Sequence, residues 1–190
     1  MEIKCAALAA MLALAGSGAS AQITTHETPG NLAPTRNPGC ISVAQADKAL
    51  TPADLTLGAY DCVQKADYDK AAALVILLQL RAAYDTRRVA DVSAHDAGQV
   101  LFLSLHDALT TRQQTQLKQA FSRFGGTGSS NHQAFCKRMK AVGPPDYYPA
   151  YMIQHGLGAF LPQKNKPLVS NFKPRAAWSE VLTGYMKCGK

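Results

Sequence analysis

Apolar residues recur at helical spacing along most of this chain. Leu74, Leu77 and Leu78 share one face of a helix when the segment is wound at 3.6 residues per turn, and Leu117 and Phe121 repeat the pattern later. No stretch shows the sustained alternation of β-branched and polar residues that marks a strand. The links between periodic segments are short, which favours antiparallel neighbours. The sequence therefore predicts an all-α fold of antiparallel helical hairpins.

Helix start and stop signals divide this pattern into about six helices and one short helical turn. Thr51, Pro52 and Asp54 have the order of an N-cap residue, a first-turn proline and an acidic N3 residue, which predicts a helix start. Asp67 is placed to cap the next helix, and Gly125 to end the fourth. The first, second, fourth and sixth predicted helices cover residues 52–63, 68–84, 111–124 and 174–187. The third begins at a Ser93–Asp96 capping box and ends near Leu109, and the fifth is capped by Asn131 and ends near Val142. The short turn runs from Pro149 to Gly156 or Gly158.

The hairpin over residues 57–80 resembles a single degenerate tetratricopeptide-type unit. The residues that match the family pattern are Ala59 in the first helix and Tyr68, Ala71 and Leu78 in the second. Cys62 stands where a Tyr is usual, and no second copy follows at the family's period of about 34 residues. The resemblance implies a protein-binding helical scaffold.

Residues 1–21 have the pattern of a secretory signal peptide. Lys4 precedes an apolar run over 5–15, and Ala19-Ser20-Ala21 fits the signal-peptidase rule, which predicts cleavage between Ala21 and Gln22. The apolar run is shorter than the ~20 residues that a membrane-spanning helix needs, and no later segment offers a longer one. We therefore expect an exported protein with no transmembrane segment in the mature chain, located in the periplasm or, alternatively, secreted.

The mature chain is predicted as an irregular N-terminal arm over residues 22–45 and one helical domain over 46–190. The arm is rich in Thr, Pro, Asn and Gly and lacks apolar periodicity. The remaining length suits a single core.

Four cysteines remain once Cys5 is removed with the signal peptide. An even number in an oxidising compartment favours two disulfides, for which three connectivities are possible. We favour Cys40–Cys62, which would tie the arm to the first helix, and Cys136–Cys188, which would tie the last helix to an earlier one. There is no C-x-x-C motif, so we expect no metal and no cofactor.

The net charge of +7 lies entirely in the last third of the sequence. Acidic and basic residues balance over 22–131, whereas 132–190 holds nine Lys and Arg against only Asp146 and Glu180. Such a basic segment is typical of a protein with an anionic partner. For an exported chain the partner is an acidic protein, an anionic envelope polymer or a lipid headgroup rather than nucleic acid. A solvated basic face without a partner explains the charge equally well.

A proline-bracketed turn in this basic third is the best candidate for a binding surface, because tyrosines on a rigid turn offer large contact area at low entropic cost. The candidate residues are Asp146, Tyr147, Tyr148, Tyr151 and His155, together with the basic Lys137, Arg138 and Lys140. In a purely structural alternative, the tyrosines pack the last helix around Trp178 and His155 caps the short helix.

These features predict an exported, non-enzymatic helical binding protein. By class-level analogy it is an inhibitor or immunity protein that acts against an envelope-acting effector. The chain lacks the common hydrolase, nucleotide-binding and metalloprotease motifs. One alternative is a small envelope hydrolase that uses Asp146 and His155 as an acid/base pair. Another is a structural protein whose basic face rests on anionic lipid.

Overall fold

The computed structural model describes residues 27–161 and 166–189, and within these ranges the chain is all-helical. The predicted signal peptide and its cleavage site lie outside the described residues. Six longer helices and one short one form antiparallel hairpins, as the sequence predicted. They are α1 (Pro52–Gln64), α2 (Tyr68–Arg88), α3 (Ala97–Asp107), α4 (Thr111–Phe124), α5 (Ser130–Val142), α6 (Ala150–Ile153) and α7 (Pro174–Gly184), with 3-10 turns at Val92–Ala94 and Leu157–Phe160.

Local capping starts the first two helices at the predicted residues. The Thr51 hydroxyl accepts a hydrogen bond from the Asp54 backbone N–H at 3.1 Å, and the Asp54 carboxylate accepts one from the Thr51 N–H at 2.8 Å. This is the predicted capping box. Asp67 accepts from the Lys70 N–H at the start of α2. Because each cap uses groups within three residues of one another, sequence spacing was enough to find it.

The predicted start of α3 is wrong because a tertiary contact intervenes. Asp91, rather than Ser93, is the capping residue, and its carboxylate accepts hydrogen bonds from the backbone N–H groups of Ser93 and the distant Gly158. The chain therefore first makes a 3-10 turn, and α3 begins only at Ala97. Asp96 is the N-cap residue of α3 but makes no side-chain cap hydrogen bond, so the predicted capping box is absent.

The start of α5 and the end of α7 also differ from the prediction. Ser129 caps α5 by accepting from the His132 N–H, whereas the predicted cap, Asn131, donates to the Arg123 carbonyl instead. Helix α7 ends at Gly184 rather than near Lys187. Its end comes early because the following tail turns back to place Cys188 against α5.

Helix α2 is the centre of the fold and packs against α1, α3, α4 and α7. Its Leu74, Leu77, Leu78 and Leu80 are fully buried, and each buried leucine contributes about 1.5–3 kcal/mol relative to an exposed one. The hairpin that resembles a tetratricopeptide unit lies within α1 and α2, and the resemblance stays a prediction. None of the described helices is long and apolar enough to cross a membrane.

Two disulfides join the ends of the described chain to its helices. Cys40 pairs with Cys62 of α1, and Cys136 of α5 pairs with Cys188 in the tail, so the favoured pairing is confirmed. The arm is also attached by hydrogen bonds, because the buried Asp54 carboxylate accepts from the backbone N–H groups of Thr35 and Arg36. Residues 27–51 hold no helix, and yet they are attached to α1, α5 and α6.

Helices α3 and α2 approach each other closely at Gly98. A Cβ atom added at Gly98 would lie 2.4 Å from the Cβ of Ala82. We expect Gly98→Ala to push the helices apart and to lower the free energy of unfolding by about 1–3 kcal/mol, measured by urea denaturation. Gly184→Ala is the matched control in α7, where the new methyl group meets no atom within 4 Å; it should be neutral or stabilising by up to about 1 kcal/mol. Equal stability of the two variants would contradict the close approach.

Candidate functional site

Two of the tyrosines predicted for a binding surface lie in the core instead. Tyr147 and Tyr151 are 9 % and 1 % exposed, and each hydroxyl donates a 2.8 Å hydrogen bond to the same carboxylate oxygen of Asp85. The assignment of these two residues to a surface is therefore wrong. They do not pack around Trp178 either, whose ring meets Tyr84. A buried carboxylate needs hydrogen-bond donors, and this need draws both tyrosines inward.

The Asp85 carboxylate is the centre of a buried polar cluster. Arg88, one turn later in α2, donates to it through Nε at 2.7 Å and also donates to the Tyr147 carbonyl. Burial raises the pKa of Asp85, while Arg88 and the two hydroxyls oppose that shift. Burial, followed by the charge of Asp85, raises the pKa of Tyr147 and of Tyr151 well above the ordinary value. The cluster is closed to solvent and joins α2 to the turn before α6, which is a structural task.

The other residues of the predicted turn are not assembled into one site. Tyr148 and Asp146 are exposed, and the Asp146 N–H donates to the Lys48 carbonyl. His155 is half-buried, and its Nδ1 lies 2.9 Å from the Asn31 side-chain oxygen. His155 thus bonds to the arm rather than capping α6. Over the ranges that the structure covers, no hydrogen bond or ion pair joins Asp146 to His155.

A basic pocket forms where α5 meets the C-terminal tail. Lys137 and Lys140 lie one turn apart on α5, and Lys187 reaches the same cavity from the tail. The cavity has a volume of about 480 Å³, and Cys136 and His132 contribute to its wall. Three ammonium groups around one cavity make a positive concave surface, which attracts anions.

Only part of this pocket was visible in the sequence. Lys137 and Lys140 were candidates from the charge pattern, but Lys187 joins them because the Cys136–Cys188 disulfide and the bond between His132 and the Met186 carbonyl hold the tail against α5. Arg138, also a candidate, points elsewhere: its guanidinium donates to the carbonyls of Val43 and Ala44 and holds the arm against α5. Helical geometry explains the split, since residue 138 lies about 100° round the helix from Lys137 and about 200° from Lys140.

His132 forms the buried floor of the basic pocket. The Gly128 backbone N–H donates to its Nδ1 at 3.2 Å, so the ring proton belongs on Nε2, which lies 2.7 Å from the Met186 carbonyl oxygen. The ring therefore links the start of α5 to the tail. Nε2 also lies 3.6 Å from Cys136 Sγ. His132, Cys136 and Cys188 are near enough to share a metal, but a cysteine binds metal as a thiolate, which neither sulfur is while the disulfide is intact.

The two 3-10 turns carry a second surface that the sequence did not reveal. Val92, Leu157, Phe160 and Leu161 are all more than half exposed on these adjacent turns. Hydrogen bonds to Ser93 and Gly158 lower the pKa of the Asp91 carboxylate, which connects the turns. Sequence patterns treat such apolar residues as core, and only the tertiary structure shows that no described element covers them.

The fold and the pocket together define a disulfide-bonded, all-helical protein with a concave basic site. Comparison with protein-family models, with curated proteins and with solved structures finds no match to this chain. The functional argument therefore rests on the site itself.

Proposed function

We propose that this protein is an exported, non-enzymatic binding protein whose basic pocket engages an acidic protein, in the manner of an inhibitor or immunity protein. The observation that carries the proposal is the convergence of Lys137, Lys140 and Lys187, from two separate segments, on one cavity. Export to the periplasm is proposed from the signal-peptide pattern, and the two disulfides are compatible with it.

The charges of the pocket are available to a partner. Among the described residues, none of its three lysines forms a salt bridge with a carboxylate. Like charges held together repel one another, and an anionic group placed between them relieves this repulsion. A positive patch that meets a negative one speeds association and selects the partner.

The shape of the pocket favours a protein over a membrane as the partner. A lipid bilayer presents a flat surface, whereas this site is a cavity of about 480 Å³ with lysines on its rim. A projecting acidic side chain of a partner can enter it.

The hydrolase alternative has no observation in its favour. Asp146 is exposed and His155 bonds to Asn31, and no contact among the described residues couples the two as an acid/base pair. The proposed function therefore assigns no catalytic role to either residue.

An acidic peptide of consecutive glutamates is the probe for this proposal. Isothermal titration calorimetry at low salt should detect binding that weakens as salt is added, because exposed charges are screened. The variant Lys137→Gln/Lys140→Gln/Lys187→Gln should bind about tenfold more weakly, since each exposed charge pair is worth at most about 1 kcal/mol.

A second triple variant, Lys65→Gln/Lys118→Gln/Lys166→Gln, removes the same charge from exposed lysines outside the pocket and should bind nearly as well as the unmodified protein. An equal loss in both variants would show that net charge, and not the pocket, attracts the peptide. Binding to vesicles that contain phosphatidylglycerol, without binding to the peptide, would replace the acidic protein with a lipid surface.

A further inference from the structure

One of the residues that line the basic pocket is a disulfide cysteine. Cys136 lines the cavity and is 6 % exposed, whereas its partner Cys188 is 1 % exposed and is not among the lining residues. A small molecule inside the pocket therefore meets Cys136 before Cys188. The lysines attract anions to the mouth of this same cavity.

We propose that the Cys136–Cys188 disulfide is a modification site for anionic thiols, meaning small thiols that also carry a carboxylate or a sulfonate. The inference rests on the proposed attraction of the pocket for anions. The entering thiolate attacks Cys136 Sγ, a new sulfur–sulfur bond forms, and the Cys136–Cys188 bond breaks. Cys188 leaves as a thiolate. A second molecule of the same thiol releases Cys136 as a thiolate and departs as the oxidised small-molecule disulfide, so two thiols supply the two electrons.

The surroundings of the leaving sulfur favour this step. Exchange is faster when positive charge stabilises the departing thiolate. Lys187 is adjacent to Cys188 in the chain, and Lys137 is adjacent to Cys136. The pocket thus offers both an attraction for the attacking anion and a cationic environment for the group that leaves.

The second disulfide is an internal control within the same molecule. Cys40 is half-buried and therefore easier to reach than Cys136 or Cys188, so access alone favours reduction of Cys40–Cys62. The charge near Cys40–Cys62 is negative, because Asp61 precedes Cys62 in the chain. The Asp61 carboxylate accepts a hydrogen bond from the side chain of Asn37 in the arm. The rate of reduction by a neutral thiol depends on access to the disulfide. The rate of reduction by an anionic thiol depends on that access and also on the charge around the disulfide.

Exchange at Cys136 would also alter the pocket itself. Helix α7 stays in the core through Trp178, Val181 and Leu182. The tail beyond it is joined to α5 by the disulfide and by the hydrogen bond between His132 and the Met186 carbonyl. Breaking the disulfide removes the covalent cross-link between α5 and the tail that carries Lys187 and leaves the hydrogen bond. We therefore expect Lys187 to be held less firmly at the cavity in the modified protein.

The test compares two thiols on both disulfides of the intact protein. 2-Mercaptoethanesulfonate is the anionic thiol and 2-mercaptoethanol the neutral one, used at low salt and at one pH. Cysteines freed at early times are alkylated and quantified by peptide mass spectrometry. This gives the reduction rate of each of the two disulfides by each of the two thiols, four rates in all. The anionic-to-neutral rate ratio at Cys136–Cys188, divided by the same ratio at Cys40–Cys62, cancels the intrinsic reactivity of each thiol and the access to each disulfide. We expect this quotient to be at least about fivefold.

The pocket variant Lys137→Gln/Lys140→Gln/Lys187→Gln should bring the quotient close to one. The control variant Lys65→Gln/Lys118→Gln/Lys166→Gln should leave the quotient unchanged. A quotient near one in the unmodified protein overturns the inference. If the glutamate peptide still binds in that case, the proposed function stands and only the thiol chemistry fails. If the peptide does not bind but the quotient is high, the pocket serves small anionic thiols and the acidic-protein proposal fails.

Discussion

Replacing Asp85 with Ala should destabilise the protein by about 3–5 kcal/mol, the largest effect expected of any single substitution considered in this protein. The carboxylate is fully buried and accepts hydrogen bonds from Arg88, Tyr147 and Tyr151. Its removal leaves a buried guanidinium and two buried hydroxyls without their shared acceptor. Urea denaturation followed by circular dichroism gives the change in the free energy of unfolding.

Two further variants separate the effect of charge from that of lost volume. Asp107→Ala removes an exposed carboxylate, 80 % accessible at its side chain, and should change stability little. The double variant Asp85→Ala/Arg88→Met removes both partners of the buried pair and should recover part of the loss, because no buried charge is left unpaired. A loss below about 1 kcal/mol for Asp85→Ala would show that water reaches the cluster and that it is not the closed network described above.

Removal of the Cys136–Cys188 disulfide by alanine substitution of both cysteines should cost about 4 kcal/mol, and removal of Cys40–Cys62 about 3 kcal/mol. The order follows from loop length. Cys136–Cys188 joins residues 52 positions apart, whereas Cys40–Cys62 joins residues 22 positions apart. Cys136–Cys188 therefore restricts the unfolded chain more. Guanidinium denaturation without reductant measures both variants against the unmodified protein.

The reverse order would be equally informative. It would show that contacts in the folded state, such as the attachment of the arm to α1, outweigh loop entropy. Since α7 is held by its own buried residues, we expect the variant without Cys136–Cys188 to keep its helical content and to lose only the tail. Loss of most helical signal at 25 °C would contradict the view that the helices hold together without this disulfide.

The two polar features of the molecule have different tasks. The Asp85 cluster is closed to solvent and connects α2 to the turn before α6, so its substitution should alter stability. The basic pocket is open, and substitution of its lysines should alter binding while leaving the free energy of unfolding nearly unchanged, because exposed charges contribute little to it. Stability and binding measurements on the same variants therefore separate the two.

Local signals account for what was predicted correctly. The starts of α1 and α2 depend on Thr51, Asp54 and Asp67, whose partners lie within three residues. The helical class follows from apolar spacing, which is also a local property. The disulfide pairing was favoured because each proposed bridge would tie a chain end to a helix, and both bridges are present.

The incorrect predictions for the start of α3 and for the two tyrosines share one cause, which is a contact between distant parts of the chain. Helix α3 begins only at Ala97 because the Asp91 carboxylate accepts a hydrogen bond from the Gly158 N–H, more than sixty positions away along the chain. Tyr147 and Tyr151 were expected at a surface because they are polar aromatics on a proline-rich turn. A carboxylate on α2 buries them. Neither partner was recognisable from the residues around it.

By itself, the sequence determined the helical class, the first helix starts and the basic character of the last third, because each depends on neighbouring residues or on composition. Only the tertiary structure decided which charged side chains meet. It buried Asp85 with two tyrosines, turned Arg138 towards the arm and brought Lys187 beside Lys137 and Lys140. The physical reason is that a site is made of groups that are close in space, and packing and disulfide formation, rather than spacing along the chain, determine that closeness.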